Sequence, residues 1–252
     1  MLSIKGFGFQ YEGDDKYVLD EVSWEVGPGE VGLLVGPTGS GKSTLLYAVS
    51  GFTGRYINGR AHGNIAVNGL DPLRALRDGI VYYVPQEPTN SFLGYDVITE
   101  LVWRGSRRED AVSIAKELGI DHLLNRHVFR LSGGEAQKVA IAAALLGGYR
   151  VLLFDEPLAN LDSASRREFV NILHGLKDRG VTVVVAEHRR GYLEGIADTT
   201  LELNARPRAS LPPLRMQKMK HLSTVLKIEH LNFSYDGIRP VLKDINLEVN
   251  GG

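Results

Sequence analysis

The chain has 252 residues, 43% of them hydrophobic and 23% charged, enough for one large α/β domain or two small ones with a sizeable core. Lys and Arg total 29 against 30 Asp and Glu, a net charge of −1, so neither a basic excess for nucleic acid nor an acidic excess for disorder is present. Cysteine is absent, which excludes a disulfide scaffold, Cys-ligated zinc, an iron–sulfur cluster and a thiol nucleophile.

Residues 2–26 read as extended. Ile4, Phe7, Phe9 and Tyr11 stand among small or polar residues, and 18–26 (VLDEVSWEV) alternates after a turn-like EGDDK. Gly27-Pro28-Gly29 signals a turn. The run VGLLV at 31–35 has the buried-strand pattern, followed by a glycine-rich loop and a helix-like stretch at 44–50. Further buried strands are predicted at 80–84, 151–154 and 181–186, with helices at 109–118, 134–146 and 164–178 between them. Strands rich in β-branched residues, alternating with helices, predict an α/β fold with a mostly parallel core sheet.

From 205 to 222 the sequence ARPRASLPPLRMQKMKHL is basic and contains three prolines. It reads as a linker stiffened at PPL, either a solvated tether or a contact for lipid headgroups or a partner. The beginning of the chain then returns. LSIKGFGFQYEG at 2–13 matches LKIEHLNFSYDG at 226–237, and VLDEVSWEVGPG at 18–29 matches VLKDINLEVNGG at 241–252. This is an internal repeat. The expected organisation is one whole domain at 1–204, a linker at 205–224, and the first strands of a second, truncated domain at 225–252.

The segment Gly36-Pro37-Thr38-Gly39-Ser40-Gly41-Lys42-Ser43-Thr44 fits GxxxxGK[ST] and lies between a predicted strand and a predicted helix. Its glycines let backbone N–H groups and the helix N-terminus face a phosphate chain. Lys42 would neutralise the β- and γ-phosphates, and the Ser43 hydroxyl would ligate Mg²⁺. In VLLFDE at 151–156 an apolar strand ends in two carboxylates, which a parallel sheet delivers to the edge where the phosphate loop lies. Asp155 would hold Mg²⁺, and Glu156 would act as general base on the attacking water. The two motifs together describe a P-loop NTPase.

Leu131-Ser132-Gly133-Gly134-Glu135 opens a predicted helix and is similar to LSGGQ, the signature of the ATP-binding cassette (ABC) family. That resemblance implies an N-terminal antiparallel β subdomain and a helical signature subdomain around the parallel core. It also implies that each ATP site is completed by the Ser132, Gly133, Gly134 and Glu135 segment of an opposing domain. Other positions resemble family motifs in order. Gln86 in VPQEP resembles the Q-loop glutamine, which touches Mg²⁺ and the attacking water. Asp162 in LANLD resembles the D-loop acid, and His188 the switch histidine at the γ-phosphate. Tyr11 resembles the aromatic that stacks on adenine. Glu135 departs from the common glutamine, and Lys138 stands where arginine is frequent.

Within the family, the pattern Q-x-P, Phe92 and V-x-x-E-L at 97–101 resembles energy-coupling-factor importers for vitamins and transition-metal ions, as does Ala186-Glu187-His188-Arg189. Phe92, Tyr95, Val97, Leu101 and Trp103 would form either an aromatic groove for a membrane subunit or subdomain core. The resemblance implies an ATPase that energises a prokaryotic importer, with ATP and Mg²⁺ as cofactors. Its implied partners are a second ABC domain (in the same chain or as a homodimer), a transmembrane coupling subunit and a substrate-binding membrane component, with no nucleic acid. Alternatives are a tandem ABC translation or ribosome-associated ATPase and a fused sugar-importer ATPase. No apolar run is long enough to span a membrane, and the opening MLSIKGFGFQY lacks the regions of a signal peptide. The expected location is the cytoplasmic face of the cell membrane, held there by partners.

Overall fold

A computed structural model describes residues 1–103, 105–159, 161–204, 224–233 and 242–250. The chain divides into two compact units, Met1–Arg206 and Pro207–Gly252.

In the first unit, strands β1 (Leu2–Tyr11) and β2 (Leu19–Val26) pair antiparallel, and β4 (Gly59–Val67) joins the other side of β1. The first sequence stretch is thus a hairpin, and β4 is a strand that its glycines and polar residues had hidden. The second sheet has five strands in the order β5-β6-β7-β3-β8. Its members are β3 (Val31–Val35), β5 (Val81–Val84), β6 (Val151–Asp155), β7 (Thr182–Glu187) and the short edge strand β8 (Thr199–Glu202), and every pairing is parallel.

Alternate residues of this sheet feed two cores. Leu33, Val35, Phe154, Val183 and Val185 pack with helices α4 (Arg108–Glu117), α5 (Gly133–Leu146) and α6 (Ser163–Asp178). Leu34, Leu153, Val184 and Ala186 pack with helix α1 (Lys42–Val49) and with Leu2, Ile4, Phe9 and Trp24 of the antiparallel sheet. Burial on both faces explains why these strands read as continuous apolar runs. Two short helices, α2 (Pro72–Arg77) and α3 (Val97–Val102), complete the unit. The architecture is the expected one: a parallel core sheet, an antiparallel β subdomain and helices.

Strand order positions the site. β6, β7 and β3 are neighbours, with Asp155 opposite Ala186 and Val35 opposite Glu187. The C-terminal ends of three adjacent strands therefore bring the phosphate loop, the acidic pair and His188 to one sheet edge.

In the second unit, β9 (Thr224–Phe233) pairs antiparallel with β10 (Leu242–Asn250). Leu226 pairs with Val249, Ile228 with Leu247, Leu231 with Ile245 and Phe233 with Leu242. In the first hairpin Leu2 pairs with Val26, Ile4 with Trp24, Phe7 with Val22 and Phe9 with Leu19. The repeated positions meet repeated partners. The linker expected at 205–224 lies outside the described residues except for Thr224, which opens β9.

Candidate ATP site

The loop at 36–41 owes its shape to glycine, as Gly36 and Gly41 show most directly. A Cβ on Gly36 would stand 2.5 Å from the Leu203 carbonyl oxygen and from Ser40 Oγ, and Gly41 has φ 97°. Gly41 is the N-cap of α1, and no side chain caps that helix. Its first-turn N–H groups and its dipole are therefore available to an anion. Lys42 is buried and folds back on the loop, donating to the carbonyl oxygens of Gly36 at 2.9 Å and Pro37 at 3.3 Å. Its ammonium also pairs with Glu156 at 3.3 Å.

Glu156 is the hub of the cluster. Its Oε1 meets His188 Nε2 at 2.9 Å as well as Lys42. It sits at φ 48°, a left-handed conformation uncommon for a residue that carries a side chain. Beside it, Asp155 is buried and accepts the Tyr83 hydroxyl at 3.0 Å. Burial pushes the Asp155 carboxyl above the usual range, opposed by the Ser43 and Tyr83 hydroxyls and reinforced by the charge of Glu156. Burial likewise raises the Tyr83 phenol, with Asp155 adding to it.

Two buried oxygens at this edge, Ser40 Oγ and Asp155 Oδ1, have no hydrogen-bond partner among the described residues. Buried polar atoms in folded proteins are nearly always satisfied, so these mark a place for a ligand. A phosphate chain and a hard divalent cation suit them, since Mg²⁺ takes oxygen ligands.

Tyr11 stands at the rim of the loop. Its hydroxyl is 2.8 Å from Thr44 Oγ1 and its ring meets Phe9 edge-on. A polar cavity of about 650 Å³ lies along it, lined also by Gln10, Glu12, Asn58 and Arg60. Gln86 is exposed just past β5 and borders a cleft shared with Leu131, Gly133, Gln137 and Pro157. That cleft joins the Q-loop position to the start of α5.

The signature segment is held by a capping box. Ser132 Oγ accepts the Glu135 N–H at 3.4 Å, and Glu135 accepts the Ser132 N–H at 2.8 Å. Partial burial pushes Glu135 up, but the Ser132 bonds and Arg126, 3.0 Å away, outweigh it and hold the carboxyl below its ordinary value. Among the described residues, Ser132 and Glu135 bond to each other and to Arg126, not to the phosphate loop. Asp162 is likewise apart. It is exposed and caps α6 by accepting the Ser165 N–H at 2.7 Å.

Three further side chains take part to which no motif assigns a role. Tyr83 bonds Asp155, Gln137 donates to the Pro157 carbonyl, and Glu187 accepts the Leu158 N–H at 2.9 Å. Tyr83 and Gln137 sit in segments whose apolar pattern explains them as packing. Glu187 did leave a signal, a charge at the end of the apolar run 181–186.

Comparison with known proteins agrees with this geometry. The family model described as ABC transporter matches residues 19–159. A putative ABC transporter ATP-binding protein of Treponema denticola is 34% identical over 209 residues, spanning 79% of this chain and 43% of its own length. One from Sulfurisphaera tokodaii is 34% identical over 199 residues, 75% of this chain and 42% of its own length. The chain thus spans less than half of either relative. Among solved structures, MJ1267, an ATP-binding cassette of an ABC transporter, superimposes in its ADP conformation with TM-score 0.64 at 26% identity, over 81% of this chain and 87% of that one. The fold is shared too with cbiO1 from Clostridium perfringens, described as part of the ABC transporter complex cbiONQ, at TM-score 0.69 and 24% identity over 80% of this chain and 84% of that one. The chain belongs to the ABC transporter family and carries that family's ATP-hydrolysing domain.

Proposed function

We propose that this chain is the ATPase part of a tandem ABC protein that energises a prokaryotic membrane importer of the energy-coupling-factor type, for vitamins or transition-metal ions. The observation that carries the importer reading is the fate of residues 92–103. Phe92, Val97 and Leu101 are core, whereas Tyr95 is 73% exposed and Trp103 59% exposed, with Leu93 and Phe129 also at the surface. The segment therefore divides: part of it is subdomain core, and the rest is an unusually apolar surface of the kind that receives a partner. The partner proposed is a transmembrane coupling subunit, itself joined to a substrate-binding membrane component. No helix among the described residues is long and apolar enough to cross a membrane, which fits attachment at the cytoplasmic face through such partners. The likeness to a protein described as part of cbiONQ supports the same reading.

At the site, the loop N–H groups and Lys42 bind the triphosphate, and Tyr11 stacks on adenine. Ser43, Asp155 and Gln86 would hold Mg²⁺, which when bound shields the charge of the phosphates. Glu156 takes the proton of the attacking water, while His188 holds the Glu156 carboxylate in place and reaches the γ-phosphate. Ser132, Gly133 and Asp162 are exposed at helix N-termini, with Gly134 and Glu135 half-buried beside them, in keeping with a role across an interface with a second cassette. The repeated hairpin supports that second cassette as a neighbour in the same polypeptide.

Two measurements test the proposal. Glu156→Gln should lower ATP turnover by about 10²–10⁴-fold, the usual contribution of a general base, while nucleotide binding persists; an undiminished single-turnover rate would remove Glu156 from the role. Full-length protein should co-purify with a membrane coupling subunit, and Tyr95→Ala with Phe129→Ala should release it. Co-sedimentation with ribosomes in place of membranes would favour the translation alternative.

A further inference from the structure

We infer that Glu187 is a positioning residue for hydrolysis, a hydrogen-bond acceptor that fixes the strained turn at Glu156 and thereby the Glu156–His188 contact. The inference rests on the reading of Glu156 as the base.

The turn after β6 needs such a device. Glu156 has φ 48° although it carries a full side chain, and conformations of that kind persist only where neighbouring contacts over-determine them. Three successive residues are pinned here. The Glu156 N–H donates to the Ala186 carbonyl at 2.9 Å, the Pro157 carbonyl accepts from Gln137 of α5, and the Leu158 N–H donates to Glu187 Oε1 at 2.9 Å. The first and third pins come from the end of β7, and the residue that follows the strand is His188. Glu187 therefore grips the backbone just beyond the base while its own backbone carries the base's partner.

The Glu187 side chain is buried at the end of an apolar strand. Burial pushes its carboxyl up, opposed by the N–H groups of Leu158 and of His188. A carboxylate is costly in such a place unless it is bonded. The bond it makes is to backbone, so what the turn requires is an acceptor oxygen at that reach. A glutamine supplies one. A methionine of similar length and volume does not.

The test compares Glu187→Gln and Glu187→Met in the whole chain, with steady-state ATPase and equilibrium ATP binding measured for each. Glu187→Gln should keep kcat within about twofold of the parent. Glu187→Met should lower kcat on the order of tenfold, the scale of one lost bond to a charged acceptor, with KM for ATP unchanged. In a His188→Ala background, Glu187→Met should cost little more, because the contact it maintains is already gone. Equal loss in Gln and Met would overturn the acceptor role, as would a methionine variant with parental kcat, or full additivity with His188→Ala. Glu156→Gln, run alongside, separates the two levels: if it stays active the base assignment fails, whereas an inactive Glu156→Gln beside a fully active Glu187→Met defeats only the positioning role.

Discussion

The β1–β2 and β9–β10 hairpins share a register and differ in surroundings. Both shifts of the first recur in the second, which adds one between Val249 and Asn250, and the left-handed residues Gly6 and Glu21 recur as His230 and Asp244. Yet Leu2 is 0% exposed and Phe9 1%, against 47% for Leu226 and 45% for Phe233. In the first copy the apolar side chains meet Leu34, Leu45, Leu46 and Val184 across a filled core. In the second, Leu231, Leu242, Ile245, Leu247 and Val249 are also exposed. Pairing and bulges are therefore encoded within the hairpin itself, whereas its stabilisation comes from what covers it. A two-stranded sheet alone is marginal in water.

Substitutions at matched positions sharpen this contrast. Phe9→Ala should destabilise the first unit by about 3–5 kcal/mol, the cost of emptying an aromatic site in a packed core, read from urea unfolding. A value near that of a surface substitution would mean that the first hairpin is no better anchored than the second. Lys42→Ala, in the loop that follows the first hairpin, should weaken ATP binding by about 1.5–3 kcal/mol through lost charge-assisted bonds, measured by calorimetry. Unchanged affinity would mean that the buried copy is covered for stability alone.

Asp155→Asn probes the cost of the functional edge that the first copy abuts. The native carboxyl is raised, mainly by burial, so the native state binds more protons than the unfolded chain between the two pKa values and stability falls as pH rises through that window. The neutral amide escapes this loss. The variant should melt higher than the parent at neutral pH without nucleotide, by on the order of 1 kcal/mol. Its advantage should shrink as acid protonates Asp155 in the parent, and a pH-independent difference would assign the gain to packing. The smallest effect belongs to the second hairpin. Phe233→Ala should change the stability of the second hairpin itself by less than about 0.5 kcal/mol, the scale of a surface substitution, and a cost near that of Phe9→Ala would show that the second hairpin is covered in solution.

Local chemistry decided what could be read beforehand. The phosphate loop, the acidic strand end and the signature each combine residue type with spacing, and the buried strands betray themselves by β-branched runs. β4 does not, because only Ile65 and Val67 among its residues are buried. α2 and α3, at six residues each, are too short for a helical period to declare itself. At the site, Glu156 and His188 were named from motifs, but their meeting depends on β6 and β7 being neighbours. The pins at 157 and 158 were invisible for the same reason: Gln137 and Glu187 act on backbone atoms, and a backbone acceptor or donor has no letter in the sequence.

Lys42 bridges two separate turns, since its ammonium bonds the Gly36 and Pro37 carbonyls of the loop after β3 and the Glu156 carboxylate after β6. Those two strands do not pair with each other, because β7 lies between them. One buried cation thus acts as a rivet across the sheet edge, and a displacement of either turn is felt at the other.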